Sequence, residues 1–311
     1  MEKKKGIWRD IFRSRYLYLM LIPFLFWLIV FNYIPMGGII LAFKDYKAKL
    51  GILGSPWVGL KHFQRMFVTP DAVKAILNTF EISFGRIIWE FPMPILLAIM
   101  ITEMAGTKLK KLYQTIFTFP HFLSWVVVSS IVTAFFSSSG VVNMAVSSLG
   151  LEKVPFLTDG KLFRALLYAT ENWKEIGWSA IIYMATITSI DPTLYEAASI
   201  DGASRIKQIW HITLSGLKPT IAIMFILKIG SIMNAGFDQI FNMRNDVIKA
   251  TSQIIDTYIY DITFQATPNF GFSAAVGLFK GVINFVLLTI ANQVVGVLTG
   301  EKMFSIGKRK P

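Results

Sequence analysis

The feature that most constrains this chain is a succession of six long apolar runs, at 16–43, 76–102, 112–136, 163–190, 219–241 and 272–298. A helix crossing a bilayer needs about 20 predominantly apolar residues at 1.5 Å rise each, and every run is long enough. In hydrocarbon each backbone amide must be satisfied internally, so only helices and closed barrels cross it. Barrel strands are segments of ~10 residues that alternate in polarity; these runs are longer and do not alternate. The expectation is an all-α integral membrane protein with six transmembrane helices. Composition agrees: of 311 residues only 16% are charged and 54% are hydrophobic. The 26 Phe and 8 Trp are too many large apolar side chains for a bundle of this length to bury in water. Disorder, collagen-like repeats and a coiled coil are excluded on the same figures. With no Cys, so are disulfides, thiolate metal sites and cysteine nucleophiles.

A net charge of +12 would suit nucleic acid only if a soluble basic face were visible, and none is. In a membrane protein the surplus Lys and Arg hold loops on the cytoplasmic side. With both termini inside, 16 of the 31 basic residues fall on cytoplasmic segments, and fewer lie in the outer loops. The first outer loop blunts the contrast with Lys44, Lys47, Lys49, Lys61, Arg65 and Lys74. The first run follows a basic stretch, as in a signal peptide, but it is too long and no small-residue cleavage site follows it, so a retained helix is expected. The organisation expected is a basic cytoplasmic segment 1–15, a six-span domain 16–298 and a cytoplasmic tail 299–311. A short helix is expected at 141–149, ended by Gly150.

The loop between the fourth and fifth runs, 191–219, has its own order. Asp191 suits a helix N-cap and Pro192 the first helical position. Asp201-Gly202 suits a stop, because glycine takes the left-handed conformation. Ser204 can cap a second short helix that places Ile206, Ile209 and Trp210 on one face, with Pro219 opening the next span. The result is a helix–turn–helix outside the bilayer. An ordinary amphipathic segment resting on lipid headgroups would look similar.

The order Glu196-Ala197-Ala198, three residues, Gly202, nine residues, Ile212, one residue, Leu214 separates the two. It resembles the EAA loop of ABC importer permeases. Tyr33-Ile34-Pro35-Met36, Phe43-Lys44-Asp45-Tyr46, Trp57-Val58-Gly59-Leu60-Lys61-His62-Phe63, Phe119-Pro120-His121-Phe122-Leu123-Ser124-Trp125 and Phe272-Ser273-Ala274-Ala275-Val276-Gly277-Leu278 extend the resemblance over most of the chain. It is nearest the branch serving polysaccharides and oligosaccharides. Ser215 stands where that loop usually has proline, which leaves the end of the second helix open.

The resemblance implies a type I ABC importer permease fold with a cytoplasmic coupling helix, in a bacterial plasma membrane. Glu196, Ala197, Ala198, Asp201, Gly202 and Ala203 would dock into an ATPase subunit. The chain itself is then not an enzyme, and ATP and Mg are used by the partner ATPase. Gly106-Thr107-Lys108 lacks the upstream Gly and the following Ser/Thr of a phosphate-binding loop. Implied partners are a second permease subunit forming a heterodimer, two copies of the ATPase, an extracellular solute-binding protein, membrane lipid and a saccharide substrate, with no nucleic acid.

Ionisable groups deep in a span face an interior or a wet cavity. The positions of Glu175, Trp178, Ser231 and Asn234 relative to the loop resemble those that contact sugar in the family. Trp173 can cover apolar sugar faces as Trp178 can, and Lys228 has Ser231 and Asn234 following it on an expected helical face. Asp238 and Gln239 are gate or cavity candidates. The plainer alternative is that Glu171, Lys174 and Glu175 neutralise one another within a turn. Arg86 and Glu90, at i and i+4, read as a structural ion pair. Lys174, Lys228 and Lys280 leave room for an acidic oligosaccharide. His62, His121 and His211 lack metal-ligand spacing, so no metal site is expected. An ion-coupled secondary transporter would want internal repeats and midplane carboxylates, and no repeat is visible. A membrane-embedded glycan-processing enzyme would want an acidic pair, and Glu171 and Glu175 have Lys174 between them.

Overall fold

In the computed structural model, residues 14–265 and 268–299 are described, with side chains as far as Val297. Apart from positions 14, 15 and 299, the basic segment 1–15 and the tail 299–311 lie outside the described residues. The chain is helical: α1 (Arg15–Phe43), α2 (Lys61–Val68), α3 (Pro70–Glu103), α4 (Thr107–Thr118), α5 (Trp125–Phe136), α6 (Val141–Ser148), α7 (Gly160–Thr188), α8 (Pro192–Ile200), α9 (Arg205–Gly230), α10 (Phe237–Met243), α11 (Ile255–Tyr260) and α12 (Phe270–Thr299). Five segments among the described residues are long and apolar enough to cross a membrane: Arg15–Phe43, Pro70–Glu103, Trp125–Ser148, Arg205–Gly230 and Phe270–Val297.

The sixth expected run, 163–190, is helical as α7 but is not among these five; its 29 residues reach about 43 Å at 1.5 Å each. It fails the apolar test because Arg164, Glu171, Lys174 and Glu175 lie along it. α7 is long enough to cross a bilayer, and charges at such positions face protein or water. Two further expectations are corrected. The run 112–136 is not one helix: Pro120 has no amide to continue the ladder, a 3-10 turn Phe119–Phe122 intervenes, and Ser124 restarts α5 by accepting a hydrogen bond from Val127 N at 3.3 Å. The run 219–241 is also broken. Its helix stops at Gly230, a 3-10 turn covers Ile232–Asn234, and Ala235 and Gly236 take left-handed backbone at φ 46° and 77° before α10 begins.

The described residues form two compact units. One comprises 14–66 with Ile262–Phe279, and the other Phe67–Asp261 with 280–299. In the first, α1 buries no residue between Arg15 and Leu28 and is apolar on all sides, the pattern of a helix solvated by lipid or protein instead of water. The loop after it is ordered around a buried lysine. Lys44 Nζ donates to the Ile52 and Leu53 carbonyls at 2.9 Å each, and His62 Nε2 donates to the Lys44 carbonyl at 3.0 Å.

In the second unit α7 is the central element, packed along α3 and α4 and against α9. Tyr183, Met184 and Ala180 on α7 bury with Leu97, Ala98 and Ile101 of α3 and Leu217 of α9. Toward the other end Phe163, Leu166 and Leu167 join Ile82, Val128, Val132 and Ile240. Between these two apolar clusters lies a polar layer. α6 ends at Ser148, with Gly150 at φ +75° behind it.

Candidate functional site

The polar layer is assembled from four helices: α3, α7 and α9 each contribute one or two charged groups, and α10 contributes the neutral Gln239. Arg86 on α3 is its centre, with a side chain only 6% exposed. Its Nη1 lies 3.1 Å from Glu90 Oε1 and 3.2 Å from Glu171 Oε2 on α7, and its Nη2 donates to Gln239 Oε1 on α10. Gln239 is fully buried and passes the connection on, its Nε2 donating to the Leu167 carbonyl and to Thr170 Oγ1 at 2.8 Å each. Glu90 also accepts from Lys228 Nζ of α9 at 3.0 Å. The two cations Arg86 and Lys228 and the two carboxylates Glu90 and Glu171 therefore cancel.

Gly236 is needed where it is. Its φ of +77° suits glycine, and a Cβ there would collide with the Arg86 guanidinium.

Two cavities open on this network. One, about 220 Å³, is lined by Ser83, Arg86, Glu171, Lys228, Ser231 and Asn234 among others. The second, about 240 Å³, is lined by Glu90, Ser179, Tyr183, Leu227, Lys228 and Ser231 among others. They share Lys228 and Ser231, so the polar surface is continuous across them. The structure thus brings together Lys228, Ser231 and Asn234 as expected, but not on one helical face. The helix ends at Gly230, and Ser231 and Asn234 reach the cavity from the break. Helical periodicity misplaced them because the α-helix stops at Gly230, before either residue.

Glu175 and Trp178 form a separate cluster. Glu175 Oε2 accepts from His121 Nδ1 at 2.7 Å, while Lys174 Nζ bonds Glu175 Oε1 at 2.6 Å and the His121 carbonyl at 2.8 Å. The His121 ring stacks flat on Trp178, centroids 4.3 Å apart and planes within 2°. His121 lacked metal spacing and received no role from the sequence. It sits in the turn behind Pro120, and that helix break was the signal available. Of the three acidic and basic groups in 171–175, only Lys174 and Glu175 neutralise each other; Glu171 turns to Arg86 instead. Asp238 lies in the first turn of α10, where its carbonyl accepts from Asn242 Nδ2 at 2.7 Å. Trp173 is 47% exposed.

The lysines left open for an acidic ligand all have carboxylates. Lys174 has Glu175, Lys228 has Glu90, and Lys280 of α12 bonds Asp256 of α11 at 2.7 Å and Asn234 Oδ1 at 2.9 Å.

The loop 191–219 begins as expected. Asp191 accepts from Thr193 N at 2.9 Å and Pro192 opens α8. It ends in a Schellman turn: Ala203 N bonds the Ala198 carbonyl at 2.8 Å and Gly202 N the Ser199 carbonyl at 3.1 Å, with Gly202 at φ +75°. The second helix differs from expectation. It is not short, and Ser204 makes no side-chain cap; α9 runs from Arg205 through a π-turn at Ile209–Thr213 and past Ser215 to Gly230 without a stop. Pro219 lies inside it. Buried Gln208 ties its start to the loop, donating to Ser199 Oγ at 2.9 Å and the Ala203 carbonyl at 3.1 Å. The expected stripe divides: Ile209 packs inward, while Ile206 and Trp210 are exposed, as are Leu194 and Ile200. Glu196, Ala197, Asp201 and Gly202 lie on the exposed surface of this turn, with Ala198 and Ala203 half-buried beneath it.

A set of long apolar helices beside a charge-balanced polar cavity, with an ordered exposed turn between two of them, defines a multi-pass membrane transport subunit. Residues 92–296 match the family described as binding-protein-dependent transport system inner membrane component, and the chain belongs to that family. It is an ABC transporter permease of the type I importer fold and not itself an enzyme. It is 41% identical over 293 residues to the polygalacturonan/rhamnogalacturonan transport system permease protein YteP of Bacillus subtilis, covering 94% of this chain and 91% of the relative. Identity is 39% to protein LplB of the same organism, over 94% and 92% of the two chains. In structure it is similar to a chain of a bacterial ABC transporter involved in import of the acidic polysaccharide alginate, with a TM-score of 0.87 and 39% identity over 94% of this chain and 99% of that one. A bacterial alginate ABC transporter in complex with an alginate pentasaccharide-bound periplasmic protein gives a TM-score of 0.88 at 38% identity, over 96% and 99%.

Proposed function

We propose that this chain is one of two transmembrane subunits of an ATP-driven importer that moves oligosaccharides derived from polysaccharides inward across a bacterial plasma membrane. The observation that carries the reading is the exposed turn 191–219, a capped helix and a Schellman stop held rigid by Gln208 and presenting Leu194, Ile200 and Glu196 to a partner. On it Glu196, Ala197, Ala198, Asp201, Gly202 and Ala203 form the surface that enters a groove on the ATPase. Two ATPase copies hydrolyse ATP with Mg, and a second permease completes the cavity. An extracellular binding protein delivers the sugar. In this reading the segment 1–15 and the tail 299–311 are cytoplasmic and flank the span domain 16–298.

Because the short turn 201–204 joins α8 to α9, movement of the docked turn is transmitted along α9 to Lys228 and to Ser231 just beyond its end. Closure of the ATPases draws the turns together and shifts the spans as rigid bodies between outward-open and inward-open states. Within the cavity, Ser231, Asn234 and Lys228 offer hydroxyl, amide and ammonium groups to sugar hydroxyls. Glu175 and Trp178, with Trp173 beside them, offer a carboxylate and aromatic faces, and Asp238 stands at the far side of the break. The experiment is uptake by proteoliposomes containing the assembled complex and its binding protein. ATP-dependent accumulation that falls at least severalfold in Trp178→Ala and Asn234→Ala, with assembly intact, is expected. Accumulation driven by an ion gradient without ATP would refute the reading.

A further inference from the structure

A third cavity, the largest of the three at about 490 Å³, lies outside the polar network, in a groove between α3 and α7. It is lined by Glu81, Trp89, Lys161, Arg164, Tyr168 and Asn172, with Ala165 and Ala169 forming part of its floor. Its size is within the range of a pocket for a bound organic molecule, roughly 300–1,000 Å³, whereas each central cavity is smaller than that.

The groove is built, not merely a gap. Arg164 pins one end: it bonds Glu81, donates from Nη2 to Asn78 Oδ1 at 2.9 Å, and donates from Nε and Nη2 to the Thr251 carbonyl at 3.2 and 3.0 Å. Asn172 closes the other end, its Nδ2 donating to the Trp89 carbonyl at 3.1 Å. Between these fixed ends the side chains are unspent. Lys161 Nζ, the Trp89 indole and the Tyr168 hydroxyl bond nothing among the described residues, and Trp89 is 55% exposed. Lys161 to Asn172 spans eleven residues of α7, about 16 Å at 1.5 Å each.

That inventory suits a sugar chain. Aromatic faces cover C–H surfaces of pyranose rings, amide and phenol groups bond hydroxyls, and an unpaired ammonium takes a carboxylate. It does not suit lipid tails: the Glu81 side chain is 63% exposed about 16 Å into α3 from Pro70, and polar groups at such depth face protein or a wet cavity. We infer that the α3–α7 groove is a second saccharide subsite. It holds the trailing residues of an oligosaccharide, acidic ones at Lys161, while the leading residues occupy the cavity at Lys228 and Ser231. The inference deepens the proposed transport function and rests on it. It also supplies a place for a uronate in a chain whose deeper lysines are all paired.

The test compares uptake of a pentameric and a dimeric oligogalacturonide by the complete reconstituted complex with its binding protein. Trp89→Ala, and separately Lys161→Gln, should lower the pentamer-to-dimer uptake ratio about fivefold, the scale of one lost aromatic or ionic contact. Lys161→Arg, which keeps the charge, should hold the ratio near its original value. An unchanged ratio in Trp89→Ala and Lys161→Gln, whatever the absolute rates, would overturn the subsite, because a folding or assembly defect slows both lengths alike. A tightly held phospholipid lost from the purified Lys161→Gln complex, with the ratio unchanged, would overturn it in favour of a lipid site. An unaltered complex that takes up no oligosaccharide with ATP would remove the transport reading itself and the subsite with it.

Discussion

Glu90 offers the sharpest test of the buried network, because one side chain holds two cations from different helices. Replacing it with Gln keeps the volume and removes one negative charge. Arg86 retains Glu171 at 3.2 Å and Gln239, whereas Lys228 loses the carboxylate 3.0 Å away. At that distance and an effective dielectric of ~20, the Lys228–Glu90 attraction is about 5 kcal/mol before desolvation. Desolvation offsets most of this in a buried pair. The Lys228 side chain is 34% exposed to the cavity, where water can take over part of the partner's role. The net loss is therefore roughly 1–3 kcal/mol, or a fall of roughly 3–8 °C in the melting temperature of the purified complex. The assay is a fluorescence-monitored thermal scan of Glu90→Gln, Lys228→Met and the double variant. The double variant removes the stranded ammonium and should recover about half or more of the Glu90→Gln loss. Strict additivity of the two single effects would refute a direct Glu90–Lys228 coupling, and an unshifted Glu90→Gln would refute the network's contribution altogether.

Two further outcomes concern the exposed turn. Gly202→Val forces a β-branched residue to φ +75°, at a cost of about 1–2 kcal/mol in left-handed backbone, and should abolish stimulation of ATP hydrolysis by the binding protein. No atom lies within 4 Å of a Cβ there, so an internal clash is not the cause, and normal stimulation would count against docking at this turn. The exposed Asp191 carboxyl is held below its ordinary range, first by the Thr193 backbone N–H and then by the Thr193 side chain. A lowered folded value means that the ionised cap contributes above the ordinary carboxylate pKa, near 4, and is lost as pH falls through the lowered value. Hydrogen exchange at the α8 amides, corrected for intrinsic rate, should accelerate below about pH 4 in the original chain and show no such step in Asp191→Asn. The same step in both would remove Asp191 as its cause.

Much of the fold was legible because hydrophobic length is a local property. The apolar spans near 16–43, 76–102 and 272–298 depend on continuous local runs, and the capped start of α8, the Asp201-Gly202 stop and the short helix at Val141–Ser148 each depend on residues within a turn or two of one another. The i,i+4 pair Arg86–Glu90 was legible for the same reason. The breaks at Phe119–Phe122 and Ser231–Gly236 were harder: proline and glycine were visible, but whether a span bends through them or stops depends on what packs against it. α9 shows the opposite error. A short helix was expected because Ser204 suggested a start and Pro219 the opening of a separate span, yet the π-turn carries it without interruption to Gly230.

The sequence by itself determined that this chain is a membrane protein, that its turn 191–219 resembles a coupling loop, and which ionisable residues lie at depth. Composition and short-range order suffice for such conclusions, since a long apolar run has few alternatives to a membrane helix. Only the tertiary structure decided how the charges pair. Glu171 meets Arg86 across 85 positions of sequence and Lys228 meets Glu90 because α3, α7 and α9 pack together, and His121 meets Trp178 because the turn Phe119–Phe122 packs against α7. Electrostatic energy falls with distance in space and not along the chain. Which cation is free to meet a substrate is therefore a question that only the packed helices answer.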